Sequence, residues 1–508
     1  MVSWANGYVA DVGYTHGFYR ELAPVHLNFV ALSTNKRGTS NAHGTYCELG
    51  CGQGVSTNVL AAGNPCIEFY ANDFAPEQIA GARQLAREAN LTNVHFSDAS
   101  FAQYADDPDL PEFDVIVLHG IYSWVSADNR ATIVEFLRRK LKVGGVVYVS
   151  YNTLPGWASA SALRRLFFEH AQGSGGILPA RVEKALIFAD RLKDIDAGYF
   201  KYVYGAKERL KGIHTLNRSY LAHEYFNADW HPFYFVDVAR DLGEAKLRYL
   251  GSANLLDHVD GANLTAAQQT MLHEVADPAF RETARDYITL QQFRKDVFGR
   301  GVLGLSPAEI QAGWTNLRLA LTTPISSINY KVTGALGEVA LQIESYAPVI
   351  EALKAGPRTL GELAQVPEIQ AIGGMRIQEV LKVIIGAGWV QPCLEAEGDG
   401  VRSATTRSFN DAVMQRATWS QDVQVLASPV TGGGVSVERH HLLFLLALQD
   451  GHPNPPAFAW SNFAAQGQVL LKEGKPLESP EENLAELQGR YEVFLQEHLP
   501  ILSRVGIT

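Results

Sequence analysis

The sequence predicts an α/β core followed by a mostly helical remainder, and three observations carry that expectation. Short apolar runs alternate with helix-like stretches through residues 46–151, as in a parallel sheet wrapped by helices. Three glycines at alternate positions, Gly50, Gly52 and Gly54, follow the first apolar run directly, where backbone passes close to a ligand. The chain has 508 residues, which at ~150 residues per domain allows about three domains.

The first strand covers residues 46–49 and enters the glycine turn, and a second at 67–71 ends near Asp73. Pro76 opens a helix, because proline suits the first helical turn; Ile79, Ala82, Leu85, Ala86 and Ala89 then share one face at helical spacing. Val94 and Phe96 alternate as a brief third strand, and the polar segment 106–112 is a loop. Residues 115–118 are wholly apolar, which makes a buried fourth strand. Ser126 or Asp128 caps a helix carrying Ile133, Phe136, Leu137 and Leu141, and Gly144-Gly145 stops it before a fifth strand at 146–149.

Residues 173–176, with Pro179 after them, mark a break, and helix dominates beyond it. A helix around Arg240 gives way to residues 247–253, a candidate late strand of the first sheet, and a helical stretch at 264–298 is closed by Gly299 and Gly301. Residues 357–393 read as two helices and a short strand at 388–390, the outline of a winged-helix-like module. No repeat of fixed period is present, and nothing after Pro429 converts into chemistry. The expected divisions are 1–175, 176–305 and 306–508.

Composition excludes several classes. Hydrophobic residues make up 46% and charged residues 19%, so the chain folds rather than staying disordered. With 43 basic against 54 acidic side chains, a formal charge of −11 gives no global positive field for a phosphate backbone, and nucleic acid is not the expected partner. Four irregularly spaced cysteines, Cys47, Cys51, Cys66 and Cys393, point to a reducing compartment. Residues 1–11 lack a basic and apolar leader, and no apolar run nears the ~20 residues needed to cross a bilayer. A soluble cytoplasmic protein without stable membrane insertion is expected. Cys47 and Cys51 read as buried small residues, and His440-His441 have no metal spacing with nearby acids, so no metal is expected.

The run Glu48-Leu49-Gly50-Cys51-Gly52-Gln53-Gly54 carries the chemistry. A dinucleotide fingerprint places its third glycine three positions after the second, but Val55 stands there. The compressed turn, preceded by an acid, resembles the first motif of class I S-adenosylmethionine-dependent methyltransferases. That resemblance implies a Rossmann-like class I core and S-adenosyl-L-methionine as cofactor. It gives Glu48 the cofactor's ammonium, sets Gly50, Cys51 and Gly52 beside it, and places Asp73 with Phe74 at the ribose. Asp98, Ala99 and Ser100 would border the adenine, and His119 would touch the cofactor. Each acid alone reads as a solvated loop residue; their order at successive strand ends is what makes a site.

After the fourth strand comes His119-Gly120-Ile121-Tyr122-Ser123-Trp124, which lacks the motifs of base-methylating enzymes. An aromatic loop suits an amine acceptor: lysine, with a pKa near ~10.4, pays about 4.6 kcal/mol to lose its proton at pH 7 in water, and desolvation lowers that cost. Tyr122 and Trp124 either wall such a pocket, favouring methylated ammonium by cation–π attraction, or pack beneath the loop. The segment Tyr151-Asn152-Thr153-Leu154-Pro155-Gly156-Trp157 leaves the fifth strand at the same edge, so Tyr151 can line the channel and Asn152 can orient an amine. In-line methyl transfer needs alignment more than a strong base, so His119 is read as a cofactor contact.

Residues 46–54, 118–126 and 148–157 together resemble bacterial methyltransferases that carry a methyltransferase regulatory domain, a group that includes lysine methyltransferases of outer-membrane proteins. Tyr8, Tyr19, Glu21 and Pro24 resemble their leader, which would help cover the cofactor. The middle is similar at Tyr220-Leu221-Ala222-His223-Glu224-Tyr225, at Tyr249-Leu250-Gly251-Ser252-Ala253 and at Phe293-Arg294-Lys295-Asp296-Val297-Phe298. The resemblance implies protein lysine N-methylation, with a protein substrate such as an outer-membrane or other envelope protein, and leaves the oligomeric state open. Two alternatives stay open: a small-molecule methyltransferase, and a non-catalytic factor binding through residues 357–393. The charges there, Glu362, Glu379, Arg376 and Lys382, are mixed rather than a basic stripe.

Overall fold

A seven-stranded sheet in the order β3-β2-β1-β4-β5-β7-β6 organises the chain. The computed structural model describes residues 16–216, 221, 224–227 and 229–508; Tyr8, Tyr220, Ala222, His223 and the whole segment 1–11 lie outside them. The strands are β1 Gly44–Leu49, β2 Ile67–Asn72, β3 Val94–Ser97, β4 Phe113–Leu118, β5 Leu141–Asn152, β6 Leu247–Ser252 and β7 Phe293–Arg300. The first five run parallel, while β7 lies antiparallel between β5 and β6. Helix α1 Pro24–Ser33 precedes the sheet; parallel neighbours need crossovers, and α2 Val55–Gly63, α3 Pro76–Glu88, the short α4 Phe101–Ala105 and α5 Ala127–Lys140 lie in them.

Several local expectations for this core hold. Ile79, Ala82, Leu85, Ala86 and Ala89 are all buried along α3. Ser126, rather than Asp128, caps α5: its Oγ accepts the Asn129 N–H at 3.2 Å. The α5 helix stops earlier than its glycines suggested, because β5 already begins at Leu141, paired with Phe113, so Gly144 and Gly145 lie inside the strand.

Residues 293–300 correct the reading of 264–298 as helix. Helices Ala266–Glu274 and Pro278–Thr289 occupy its first part, and β7 follows. Hydropathy hides this strand because two of its buried side chains are charged. Arg294, 4% exposed, pairs with Glu282, Asp286 and Asp296 at 2.9, 2.6 and 2.8 Å. Buried charge survives only when paired in this way. The late strand expected at 247–253 is β6, so two strands from the middle of the chain complete the first sheet.

Past α6 Ala158–Gln172 and α7 Leu178–Asp194, separated at the expected glycine break, come α8 Gly198–Tyr202 and α9 Ala206–His214. Residues 357–393 contain three helices, Leu360–Leu363, Pro367–Gln370 and Gly374–Gly386, instead of two. The strand Val390–Pro392 pairs with Arg318–Leu321, which also pairs with Arg358–Thr359. The carboxy-terminal part packs on the back of the core: Val55, Val59, Ala62, Leu85 and Ala89 share one apolar cluster with Phe409, Val413 and Leu442. Asn64 Nδ2 donates to the Gly432 carbonyl at 2.7 Å across that junction. Among the described residues, no helix is long and apolar enough to cross a membrane.

Candidate active site

The strand order reverses at β1, between β2 and β4, and ligands of open α/β sheets collect at the carboxyl edge of such a switch. The glycine turn leaves β1 there. Gly50 and Cys51 both donate their N–H groups to the Asn72 carbonyl at 2.9 Å, which ties the turn to the end of β2. Gly54, at φ +63°, opens α2 in a conformation that favours glycine, and a Cβ there would lie 2.6 Å from that of Ala82.

Three adjoining hollows follow this edge. The first, of about 60 Å³, is walled by Glu48, Gly50, Cys51, Gly52, Asp73 and His119. The second, of about 130 Å³, shares Gly50, Asp73, Gly120 and Ile121 with it and adds Phe74, Ala99, Ser100, Phe101 and Trp124. The third is an open cavity of about 720 Å³ that meets the others at His119, Gly120 and Trp124 and reaches Asn152, Trp157, Tyr225 and Phe293.

The acids are held ready by their neighbours. Glu48 is 4% exposed; burial pushes its carboxyl up to about 7 against the opposing hydrogen bond donated by Thr57 Oγ1, and nearby Asp73 adds to the rise. Asp73 accepts the Gly52 and Ala75 N–H groups, each at 3.0 Å, and burial raises its carboxyl despite these bonds. His119 is bonded through Nδ1 to Tyr148 Oη at 2.8 Å and lies 3.7 Å, centroid to centroid, from the Tyr19 ring. Burial, reinforced by the Lys295 charge, brings His119 down to about 3, so its imidazole is neutral at physiological pH. Burial also pushes the Cys51 thiol up, leaving it protonated.

The structure therefore brings together Glu48, Gly50, Cys51, Gly52, Asp73, Phe74, Ala99, Ser100 and His119, with Trp124 and Asn152 on the adjoining cavity. Asp98 follows β3 directly but is exposed and outside the hollows' lining. Tyr122 and Tyr151 correct the sequence expectation that they wall the acceptor pocket. Both are fully buried in the core, where Tyr122 Oη donates to Asp241 at 3.1 Å and Tyr151 Oη donates to Asp296 at 2.6 Å. Asn152 is 2% exposed; its N–H donates to Ser123 Oγ at 2.9 Å, while its Nδ2 has no partner among the described residues.

Sequence reasoning passed over Asn72, Phe101, Asn227 and Asp229, which line the second hollow. Asn72 precedes Asp73 and Phe101 follows Ser100, so both were within reach of the same logic. Its amide Nδ2 ties Asn72 to the Ala99 carbonyl at 2.9 Å, and its buried Oδ1 has no partner among the described residues. Asn227 and Asp229 come from a distant segment with no spacing signal.

A central glycine turn, acids at successive strand ends and an antiparallel strand near the far edge define the class I methyltransferase fold. The family described as "Methyltransferase domain" matches residues 40–183, and that described as "Predicted methyltransferase regulatory domain" matches residues 217–300. The chain belongs to the methyltransferases that carry this regulatory domain. The uncharacterized protein sll1526 of Synechocystis sp. is 45% identical over 511 residues, covering 100% of both chains. The uncharacterized protein RP789 of Rickettsia prowazekii is 27% identical over 285 residues, covering 56% of this chain and 51% of its own. Among solved structures, PKMT2 from Rickettsia typhi in complex with AdoHcy covers 97% of this chain and 99% of its own at a TM-score of 0.67 and 18% identity, a likeness of fold.

Proposed function

We propose that the chain transfers a methyl group from S-adenosyl-L-methionine to an amine, with protein lysine as the acceptor class. One observation carries this reading: the small paired hollows open at His119, Gly120 and Trp124 into a cavity of about 720 Å³ with aromatic walls. That space admits a side chain from a larger molecule. The AdoHcy bound in PKMT2 from Rickettsia typhi is what such a cofactor becomes after losing its methyl group.

The residues present fit this cofactor. Glu48 is a buried carboxylate on the first hollow, suited to an ammonium. Asp73, already oriented by two backbone N–H groups, keeps lone pairs for ribose hydroxyls. Phe74, Phe101 and Ala99 give the second hollow apolar walls for a base. When bound, S-adenosyl-L-methionine supplies an electrophilic methyl on a sulfonium centre. Neutral His119 keeps an additional cation away from that centre, and Trp124 and Asn152 guide the acceptor toward it. We read residues 1–175 as the cofactor-binding part and 176–305 as the part supplying the outer cavity wall; residues 306–508 buttress the core from behind.

The test is incubation with methyl-labelled cofactor and a panel of bacterial envelope proteins, followed by peptide mass spectrometry. One to three methyl groups on lysine, stable to mild alkali, are expected. Label lost in alkali, as from a carboxyl ester, or label found only in small molecules, refutes the lysine reading.

A further inference from the structure

Glu224 lines the acceptor cavity with Asn152, Trp157, Arg209, Tyr225 and Phe293. Among the described residues, no hydrogen bond or ion pair ends on its carboxylate. The nearby cations are engaged elsewhere. Arg209 donates through Nε to Tyr225 Oη at 3.2 Å and through Nη1 to Gln292 Oε1 at 3.0 Å, with its guanidinium 4.5 Å from the Trp157 ring centroid. Arg164 donates to the Asn227 carbonyl and lies 4.7 Å over the Trp230 ring.

A half-buried carboxylate with no partner among the described residues, opening on a cavity with aromatic walls, is chemically a seat for a cation. The ionisable groups around it are Arg209 and Glu208 from α9, Arg164 from α6 and the adjacent Tyr225, with His119 and Tyr19 elsewhere on the cavity lining. Burial is the strongest influence and brings Glu224 up to about 7, against the two arginines that act through space. A carboxyl at that level exchanges protons near neutral pH, as a general base must.

We propose that Glu224 is a catalytic residue of the acceptor step, receiving the ammonium of the incoming amine and taking one of its protons before attack. This rests on the amine reading above. The ammonium gives a proton to a Glu224 oxygen, leaving a neutral amine and a carboxylic acid. The amine lone pair forms the nitrogen–carbon bond as the methyl–sulfur bond breaks, and that electron pair stays on sulfur. Glu224 then releases its proton to water at the cavity mouth.

The experiment uses the full chain, AdoHcy, and two small probes, Nα-acetyl-lysine N-methylamide and its norleucine counterpart, which lacks the amine. Calorimetry on AdoHcy-saturated wild type should show binding of the lysine probe over the norleucine probe, by about tenfold or more above pH 7 and fading below it as Glu224 protonates. Equal binding of both probes overturns the proposal. With labelled cofactor and the lysine probe, Glu224→Gln should lose about 10²-fold in kcat/KM at pH 7, a deficit that narrows toward pH 10 as the amine deprotonates unaided. Its affinity for AdoHcy should stay within about twofold, and Glu224→Asp should recover part of the rate. Glu224→Gln with the wild-type rate and pH profile overturns the role of Glu224 while leaving the amine reading standing. Wild type that methylates carboxyl or hydroxyl acceptors but no amine overturns both.

Discussion

Replacing Glu48 with glutamine is the sharpest test of the cofactor hollow, because the free protein already holds this carboxyl near 7. The cofactor's ammonium requires the carboxylate, so any proton on Glu48 must leave before binding, and acid opposes binding. At pH 7 about half of the free protein is ready, and at pH 6 about one-tenth. The wild-type dissociation constant for AdoHcy should therefore rise five- to sixfold between pH 7 and pH 6, about 1 kcal/mol, and about tenfold per further unit. Well above pH 7 Glu48 is wholly ionised, so affinity levels off there until the ligand's own ammonium begins to lose its proton. Calorimetry in two buffers of different ionisation enthalpy reads the same event as proton release, about 0.5 at pH 7 and about 0.9 at pH 6. Glu48→Gln should abolish the slope and weaken binding at pH 7.5 by about 10- to 100-fold, the worth of a charge-assisted contact. Asp73 is also raised by burial, and the variant separates the two acids. A wild-type affinity flat from pH 6 to 7.5, or a slope that survives Glu48→Gln, would falsify this role.

Other outcomes follow from the same geometry. Asp73→Asn should weaken AdoHcy by about tenfold or more, since one lost bond to a charged acceptor is worth about 1.5–3 kcal/mol; unchanged affinity would remove Asp73 from the site. Gly54→Ala puts a Cβ 2.6 Å from Ala82 and 2.9 Å from Phe96 at φ +63°, and thermal or denaturant unfolding should show a loss of about 1–3 kcal/mol. Trp124→Ala should reduce methyl transfer to the lysine probe by at least about tenfold, whereas Tyr122→Phe, which removes only the bond to Asp241, should cost about 1 kcal/mol of stability and leave transfer intact. The opposite pattern would return Tyr122 to the acceptor wall.

Glycines and acids at strand ends were legible in the sequence because each is a local signal: a turn needing positive φ, or a carboxylate just past an apolar run. The acceptor side was less legible for reasons visible in particular residues. Neighbours on a strand face opposite sides, so Tyr151 and Asn152 cannot both line one cavity. Asn152 shares its face with Tyr148, which bonds His119, and Tyr151 turns to Asp296 behind the sheet. Strand β7 escaped notice because its buried Arg294 and Asp296 look like surface residues to any hydropathy reading, and only the carboxylates from other segments show that they are interior. Glu224, Asn227 and Asp229 reach the site through tertiary packing, which no spacing near the glycine turn announces.

Pairing of β5 with β7 ties the two halves of the acceptor cavity together. Asn152 lies opposite Phe293 and Tyr151 opposite Arg294 in that antiparallel register, and both Asn152 and Phe293 reach the cavity. A slip of one residue would turn Phe293 away and bring Arg294 toward the cofactor side, because side-chain direction alternates along a strand. The buried pairs of Arg294 with Glu282 and Asp286 resist that slip, since both reach a neighbouring helix and would be broken by it, leaving uncompensated interior charge. The regulatory-domain segment is thus part of the same sheet: it contributes β6 and β7, whose pairing fixes the register, together with Glu224, Tyr225, Gln292 and Phe293 on the cavity wall. An isolated fragment ending near residue 175 would keep the glycine turn but leave the β5 edge unpaired and the acceptor cavity without its outer wall.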